Sequence, residues 1–231
     1  MATWNVLAQA YCHPHRYTDV DPQALDADRR RAAVVDEVVR WVGDVDVVCL
    51  QEVDDELVAA LEAAGVWTRA VAHPSRADGV AVAASDPLPT EQGELGDAMA
   101  WVGAVLGDGS DASTLVVSCH LRHPGDGPVG SAQASSLTSQ LSARRDGARL
   151  AIGADANAAA GGPPTDAWVG LGLEVHQPSP TAWISARART TDVLALPPGG
   201  RLTTLAGPTG PIPTLPWPSD HRLLAGAWPR Q

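Results

Sequence analysis

The strongest constraint in this chain is a contradiction that repeats along it. Short runs of apolar, β-branched or small residues carry, at or near one end, a side chain that a buried strand should not hold. In LAIGADANA (150–158), Asp155 and Asn157 stand two residues apart at the end of such a run. Period-two alternation would send both to one face if the strand continued. Burying them unpartnered costs roughly 2–7 kcal/mol for the amide and more for the charge. A metal, a phosphate or a dense hydrogen-bond network is therefore expected there. The pattern recurs with Asn5 inside TWNVLA, Gln51 and Glu52 ending VDVVCLQE, and His120 ending TLVVSCH. Asp192 opens DVLAL, and Asp220 and His221 introduce RLLAGAW. Strand ends in an α/β protein gather around one crevice, so these groups can converge.

The intervening segments support an α/β reading. Strands are expected over 3–8, 45–50, 67–72, 79–84, 98–106, 114–121, 149–155, 190–196 and 221–228. Asp26 or Asp28 caps a helix whose Val34, Val35, Val38, Trp41 and Val42 share a face, and Gly43 ends it. A second helix runs from Asp54 to about Ala64, a third lies near 130–145 and a short one near 164–170. There is no repeat and no long linker, and GPTGPIPTLPWP (207–218) leads directly into an apolar strand. The expectation is one domain spanning residues 1–231.

Composition narrows the partners. The net charge is −11, which opposes a non-specific grip on long duplex nucleic acid. Residues 1–121 hold 20 acids against 7 Arg, and residues 122–231 hold 7 acids against 9 Arg. All cations are Arg; Lys and Phe are absent, a pattern that reads as compositional bias. No apolar run reaches the roughly 18 residues of a membrane span, and MATWNVLAQAY lacks a signal-like basic region. Cys12, Cys49 and Cys119 are too few and scattered for a disulfide framework. A cytoplasmic location without membrane contact is expected. Without Lys there is no Walker A motif, and no Gly-x-Ser-x-Gly elbow occurs.

Singly, each polar residue has an ordinary reading: a satisfied core Asn, an acid opening the next helix at Glu52, a structural His120, an Asx turn at Asp155, a loop cap at Asp192. Their order carries more. TWNVL, CLQEV, SCHL, GADAN, TDVL and SDH, in that sequence, resemble the motifs of the endonuclease/exonuclease/phosphatase superfamily over nearly the whole chain. NVLAQAY, DRRRAAVVDEV before LQEV, and WPSDHRLLAGAW are most similar to its nocturnin and angel group of deadenylase-like proteins. The chain departs from the family in having Ala156 between Asp and Asn, and Val193 after the later Asp, where aromatics are usual.

The resemblance implies a four-layer α/β sandwich, two mixed sheets face to face with helices outside and the site at one end. It implies an Mg²⁺-dependent phosphoester hydrolase, with Mn²⁺ able to substitute, acting on nucleotides or RNA ends. The activities implied are 3′-end trimming, 2′-phosphate removal or opening of a 2′,3′-cyclic phosphate. A general DNA/RNA endonuclease and a non-catalytic binding member of the fold are the alternatives. Glu52, Asn5 and Asp220 are the implied metal residues. Asp155 activates water, Asn157 holds a phosphate oxygen, His221 pairs with Asp192, and His120 donates to the scissile phosphate. Arg16, in the loop HPHRY, and Arg122, beside His123, are candidate substrate contacts. Arg29, Arg30 and Arg31 read as a solvated helix face, and Trp183 and Trp217 as packing residues.

Overall fold

Two mixed six-stranded sheets pack face to face with helices on both outer faces, the expected four-layer α/β sandwich. The computed structural model describes residues 1–107, 113–122, 129–144, 148–158, 162–184, 187–208 and 213–229. In chain order the elements begin with β1 (Ala2–Asn5), α1 (Ala27–Val42), β2 (Val48–Val53), α2 (Asp55–Ala63), β3 (Trp67–Ala72) and β4 (Gly79–Ala84). Next come β5 (Thr90–Gly96), β6 (Met99–Leu106), β7 (Thr114–His120), α3 (Val129–Arg144), β8 (Arg149–Asp155) and α4 (Pro163–Gly170). The chain closes with β9 (Glu174–His176), β10 (Ala182–Ile184), β11 (Arg187–Arg189), β12 (Asp192–Leu196), β13 (Arg201–Ala206) and β14 (Leu223–Ala227).

The first sheet is ordered β13-β14-β1-β2-β4-β3 and the second β5-β6-β7-β8-β12-β9. Each is antiparallel except for one central parallel pair, β1 with β2 and β7 with β8. A hairpin of β10 and β11 forms a small sheet of its own and bridges at Ala182 to His221. Among the described residues no helix is long and apolar enough to cross a membrane.

Alternation sorts the side chains into layers. Trp4, Leu50 and Ala81 face α1 and α2, where Val34, Val38, Trp41, Leu57 and Leu61 meet them. Leu115, Val117, Leu150, Ile152 and Val193 face α3 and α4. Cys49, Val82, Val102, Val116, Ala151 and Leu194 fill the space between the sheets. The helices start where caps allow: Asp26 Oδ1 accepts from Arg29 N at 3.0 Å and Asp54 Oδ1 from Leu57 N at 2.8 Å.

Several boundaries differ from expectation for a local reason. β1 ends at Asn5 because Leu7 turns out with φ 58° and its N–H caps Asn5 Oδ1 at 2.9 Å. β2 begins three residues later than expected and runs through Val53, interrupted by a bulge at Glu52, which adopts φ 57°. The strands β5 and β13 were invisible to apolar patterning because they are polar edge strands.

One glycine sets how closely the sheets approach. A Cβ on Gly153 would lie 2.7 Å from Thr3 Cβ and 3.0 Å from Cys49 Cβ. Around it, Gln51 Nε2 donates to Thr3 Oγ1 and Ser118 Oγ, both at 3.1 Å, linking the two sheets. Gly153→Ala is expected to cost about 1–3 kcal/mol by forcing the sheets apart. A urea-denaturation midpoint equal to wild type would contradict this.

Candidate active site

Register brings the polar residues together. His120, Asp155 and Asp192 are direct neighbours across β7, β8 and β12. Asn5 and Gln51 are neighbours across β1 and β2 in the facing sheet. All of these occupy the inward phase of their strands, so the same alternation that builds the inter-sheet core delivers them to its end. Asp220 and His221 arrive just before β14, and Ser219 Oγ donates to Asn5 O at 2.6 Å to pin them there.

Asn5 is the hub. Its Oδ1 is held by Leu7 N, so its Nδ2 faces two acids, Glu52 Oε1 at 2.9 Å and Asp155 Oδ2 at 3.0 Å. Glu52 reaches this place through the bulge, and its Oε2 accepts from Ala8 N at 3.1 Å. A left-handed Glu stores on the order of 1–2 kcal/mol of strain, a cost usually found where aiming a side chain matters.

Asp155 and Asn157 do not share a continuing strand. Asn157 leaves it with φ 48°, and its N–H donates to Asp155 Oδ1 at 2.9 Å in an Asx turn. The turn still brings both into one place. Asn157 Nδ2 donates to Leu121 O at 2.8 Å and meets His120 Nε2 at 3.0 Å. Since Leu121 O fixes the amide, His120 Nε2 is the acceptor and neutral His120 carries its proton on Nδ1. The expected donation from His120 to a phosphate thus requires a proton added at Nε2.

His221 is held differently. Its Nδ1 donates to Asp192 Oδ2 at 2.9 Å and Oδ1 at 3.0 Å. Its Nε2 lies 3.8 Å from Asp155 Oδ2 and 3.7 Å from Asp220 Oδ1. Two indoles, Trp217 at 2.7 Å and Trp4 at 3.1 Å, donate to its carbonyl. Both Trp183 and Trp217 are buried packing residues.

Burial alone would depress the His221 imidazole, but Asp192, Asp220 and Asp155 outweigh it and hold it well above the usual histidine range. Burial raises Glu52, Asp192 and Asp220 above ordinary carboxylates. Burial also works against ionised Asp155, yet His120, His221, Asn5 and the Asn157 N–H bring its pKa below the usual value. The site holds one stabilised carboxylate beside a stabilised imidazolium.

Glu52, His120 and Asp155 each present one ligand atom within 4.8 Å of the others. Two acids separated only by one amide nitrogen, with Asp220 Oδ1 buried and unpartnered nearby, fit a hard divalent cation that favours oxygen. Asn5 acts here by orienting both acids. Asp220 faces His221 and accepts from Tyr17 OH at 2.9 Å.

Arg16 and Arg122 stay outside this network. Arg16 ends an exposed turn, the Arg122 backbone N–H donates to Gln133 Oε1, and His123 lies outside the described residues. Arg30 is a correction to the solvated-face expectation. It is 5 % exposed, and its guanidinium donates to the carbonyls of Val6, Leu7 and Pro218 and to Gln9 Oε1. The side chain thus crosses from α1 to both loops that carry the site. Tyr17, from the HPHRY loop, reaches Asp220, whereas His73 and Asp78 escape sequence reasoning because both sit in a polar, turn-like stretch.

A family model described as "Endonuclease/Exonuclease/phosphatase family" matches residues 2–221. A search of curated proteins finds no match. Among solved structures, ANGEL2, a 2′,3′-cyclic phosphatase in complex with adenosine-2′,3′-vanadate, superposes with TM-score 0.79 at 18% identity, covering 97% of this chain and 94% of that one. The human Nocturnin catalytic domain gives 0.75 at 19%, covering 99% and 93%. A mannosyl-6-phosphatase of Bacteroides thetaiotaomicron gives 0.68 at 13%, covering 96% of each.

Proposed function

The chain belongs to the endonuclease/exonuclease/phosphatase family and is a hydrolase of phosphoester bonds; from that premise we propose that it is a Mg²⁺-dependent enzyme acting on nucleotides or RNA ends. The observation that carries this is the meeting of Asn5, Glu52, His120, Asp155, Asn157, Asp192 and His221 in one hydrogen-bonded group at the end of the sandwich. Net charge of −11 favours a short ligand over a long duplex. The named activity of ANGEL2 supports a terminal or cyclic phosphate as the reacting group.

Glu52 and Asp155 would hold the cation, with Asn5 keeping the two acids in register; Mn²⁺ would substitute. When bound, the ion neutralises phosphate charge. The remaining chemistry belongs to the chain. Asp155, ionised and fixed by Asn5 and the Asn157 N–H, orients the attacking water and takes its proton. The Asn157 amide turns to a phosphate oxygen. His221, held as an imidazolium by Asp192, faces the negative charge that grows on the phosphate. His120 meets the same phosphate through Nε2.

The test is a panel of oligo(A), 2′-phosphonucleotides, 2′,3′-cyclic-phosphate RNA ends and plasmid DNA, each with Mg²⁺ or Mn²⁺. Turnover of the short substrates, abolished by EDTA, is expected. Plasmid nicking in preference to them would favour the general endonuclease. No turnover, together with no Mg²⁺ binding by calorimetry, would leave a non-catalytic binding protein.

A further inference from the structure

Against His120 lies a second polar group that the reaction above does not use. His73, after β3, is 1 % exposed, and Asp78, before β4, is 2 % exposed. Asp78 Oδ1 accepts from Tyr11 OH at 2.7 Å and Arg76 Nε at 2.9 Å. Arg76 and Tyr11 outweigh burial and keep this carboxyl below the ordinary range, hence ionised. A ring nitrogen of His73, one of His120 and an Asp78 oxygen all lie within 4.8 Å of one another.

On each of the two rings one nitrogen is occupied and the other is not. His73 Nδ1 accepts from Ala100 N at 3.0 Å, so its proton is on Nε2. His120 Nε2 accepts from Asn157, so its proton is on Nδ1. Both remaining atoms, His73 Nε2 and His120 Nδ1, are buried and without a hydrogen-bond partner. They are N–H donors with no lone pair to offer, so this trio does not hold a metal ion in that state. Burial, with His120 second, pushes His73 down to about 4, which keeps it neutral.

Two buried donors and one carboxylate call for an atom that accepts twice and donates once. Three atoms within 4.8 Å of one another leave a point no farther than about 2.8 Å from any of them, inside the hydrogen-bond reach of an oxygen. A water molecule has this chemistry, and one with three partners is an ordinary structural water.

We propose that His73 and Asp78 are positioning residues for His120, joined to it through one buried water that accepts from both imidazoles and donates to Asp78. The water holds the His120 proton on Nδ1 and fixes the ring with Nε2 on the side of Asn157 and Asp155. Besides His73 and Asp78, the ring is faced by Asp155, 3.7 Å from Nε2, and by Glu52. The proposal rests on the reading that His120 meets the substrate.

Two variants separate the two nitrogens of His73. His73→Asn places an oxygen where Nδ1 stood, keeping the Ala100 contact while deleting the Nε2 donor. His73→Gln keeps a donor near Nε2 and gives up the Ala100 contact. The Asn variant is expected to lose about tenfold in kcat with KM within about twofold, and the Gln variant to recover most of that loss while unfolding at lower temperature. Wild-type kcat in the Asn variant, or equal loss in both, overturns the proposal. Ring ¹⁵N spectra of the wild type need no substrate. A His120 protonated at Nδ1 and slow to exchange supports the unit even if every panel substrate fails, and one protonated at Nε2 overturns it.

Discussion

Asp155→Asn is expected to lower kcat at least about a thousandfold on the best panel substrate, equivalent to about 4 kcal/mol of transition-state stabilisation. The substitution keeps the shape and removes the one acid that the site holds below its usual pKa. An amide takes no proton from water. Its two ends also conflict with what surrounds it, because Asn5 Nδ2 and Asn157 N both donate toward this side chain. Folding is expected to change by only about 1 kcal/mol, since a buried charge near Glu52 and Asp192 disappears along with its hydrogen bonds. The check is steady-state kinetics beside urea denaturation. A kcat within tenfold of wild type, with the fold intact, would remove Asp155 from the chemistry.

Arg30→Met removes a buried guanidinium and is expected to destabilise the fold by on the order of 3–5 kcal/mol. The estimate follows from leaving the carbonyls of Val6, Leu7 and Pro218 without the donors that satisfy them. The same side chain ties the turn after Asn5 to the loop before Ser219, Asp220 and His221. Loss of activity should therefore accompany loss of stability. Arg30→Lys would not restore either, because a single ammonium cannot reach groups that a planar fork contacts on several sides. The readout is the shift in urea midpoint at unchanged slope; a shift below about 1 kcal/mol would show that water replaces the guanidinium.

How much of this was legible in the sequence depended on contrast. Asp155, His120 and Asp192 stood out because each interrupts an apolar run, and the alternation that made them anomalous is the alternation that points them inward. Asp155 and Asn157 share a strand face only if the strand continues; the Asx turn, the other reading of DAN, is the one that forms, and it brings the two side chains together by a different route. His73 and Asp78 lie in HPSRADG, which reads as an ordinary turn between strands. Only the pairing of β3 with β4 carries them behind His120. Arg30 sits among Arg29 and Arg31, and three neighbouring charges look alike until the helix phase turns one of them inward. β5 and β13 are exposed edges whose stability comes from their partners, so their own residues carry little signal.

The placement of Asn5 and Glu52 in one sheet, and of His120, Asp155 and Asp192 in the other, gives the Gly153 contact a meaning beyond packing. On the proposed mechanism, the gap between the sheets works as a caliper whose jaws carry opposite halves of the chemistry. Its opening is set by a missing methyl group at Gly153, two residues before Asp155, and by the bridging Gln51 beside Asn5. A change in that spacer would move the jaws without altering any residue proposed to meet the substrate.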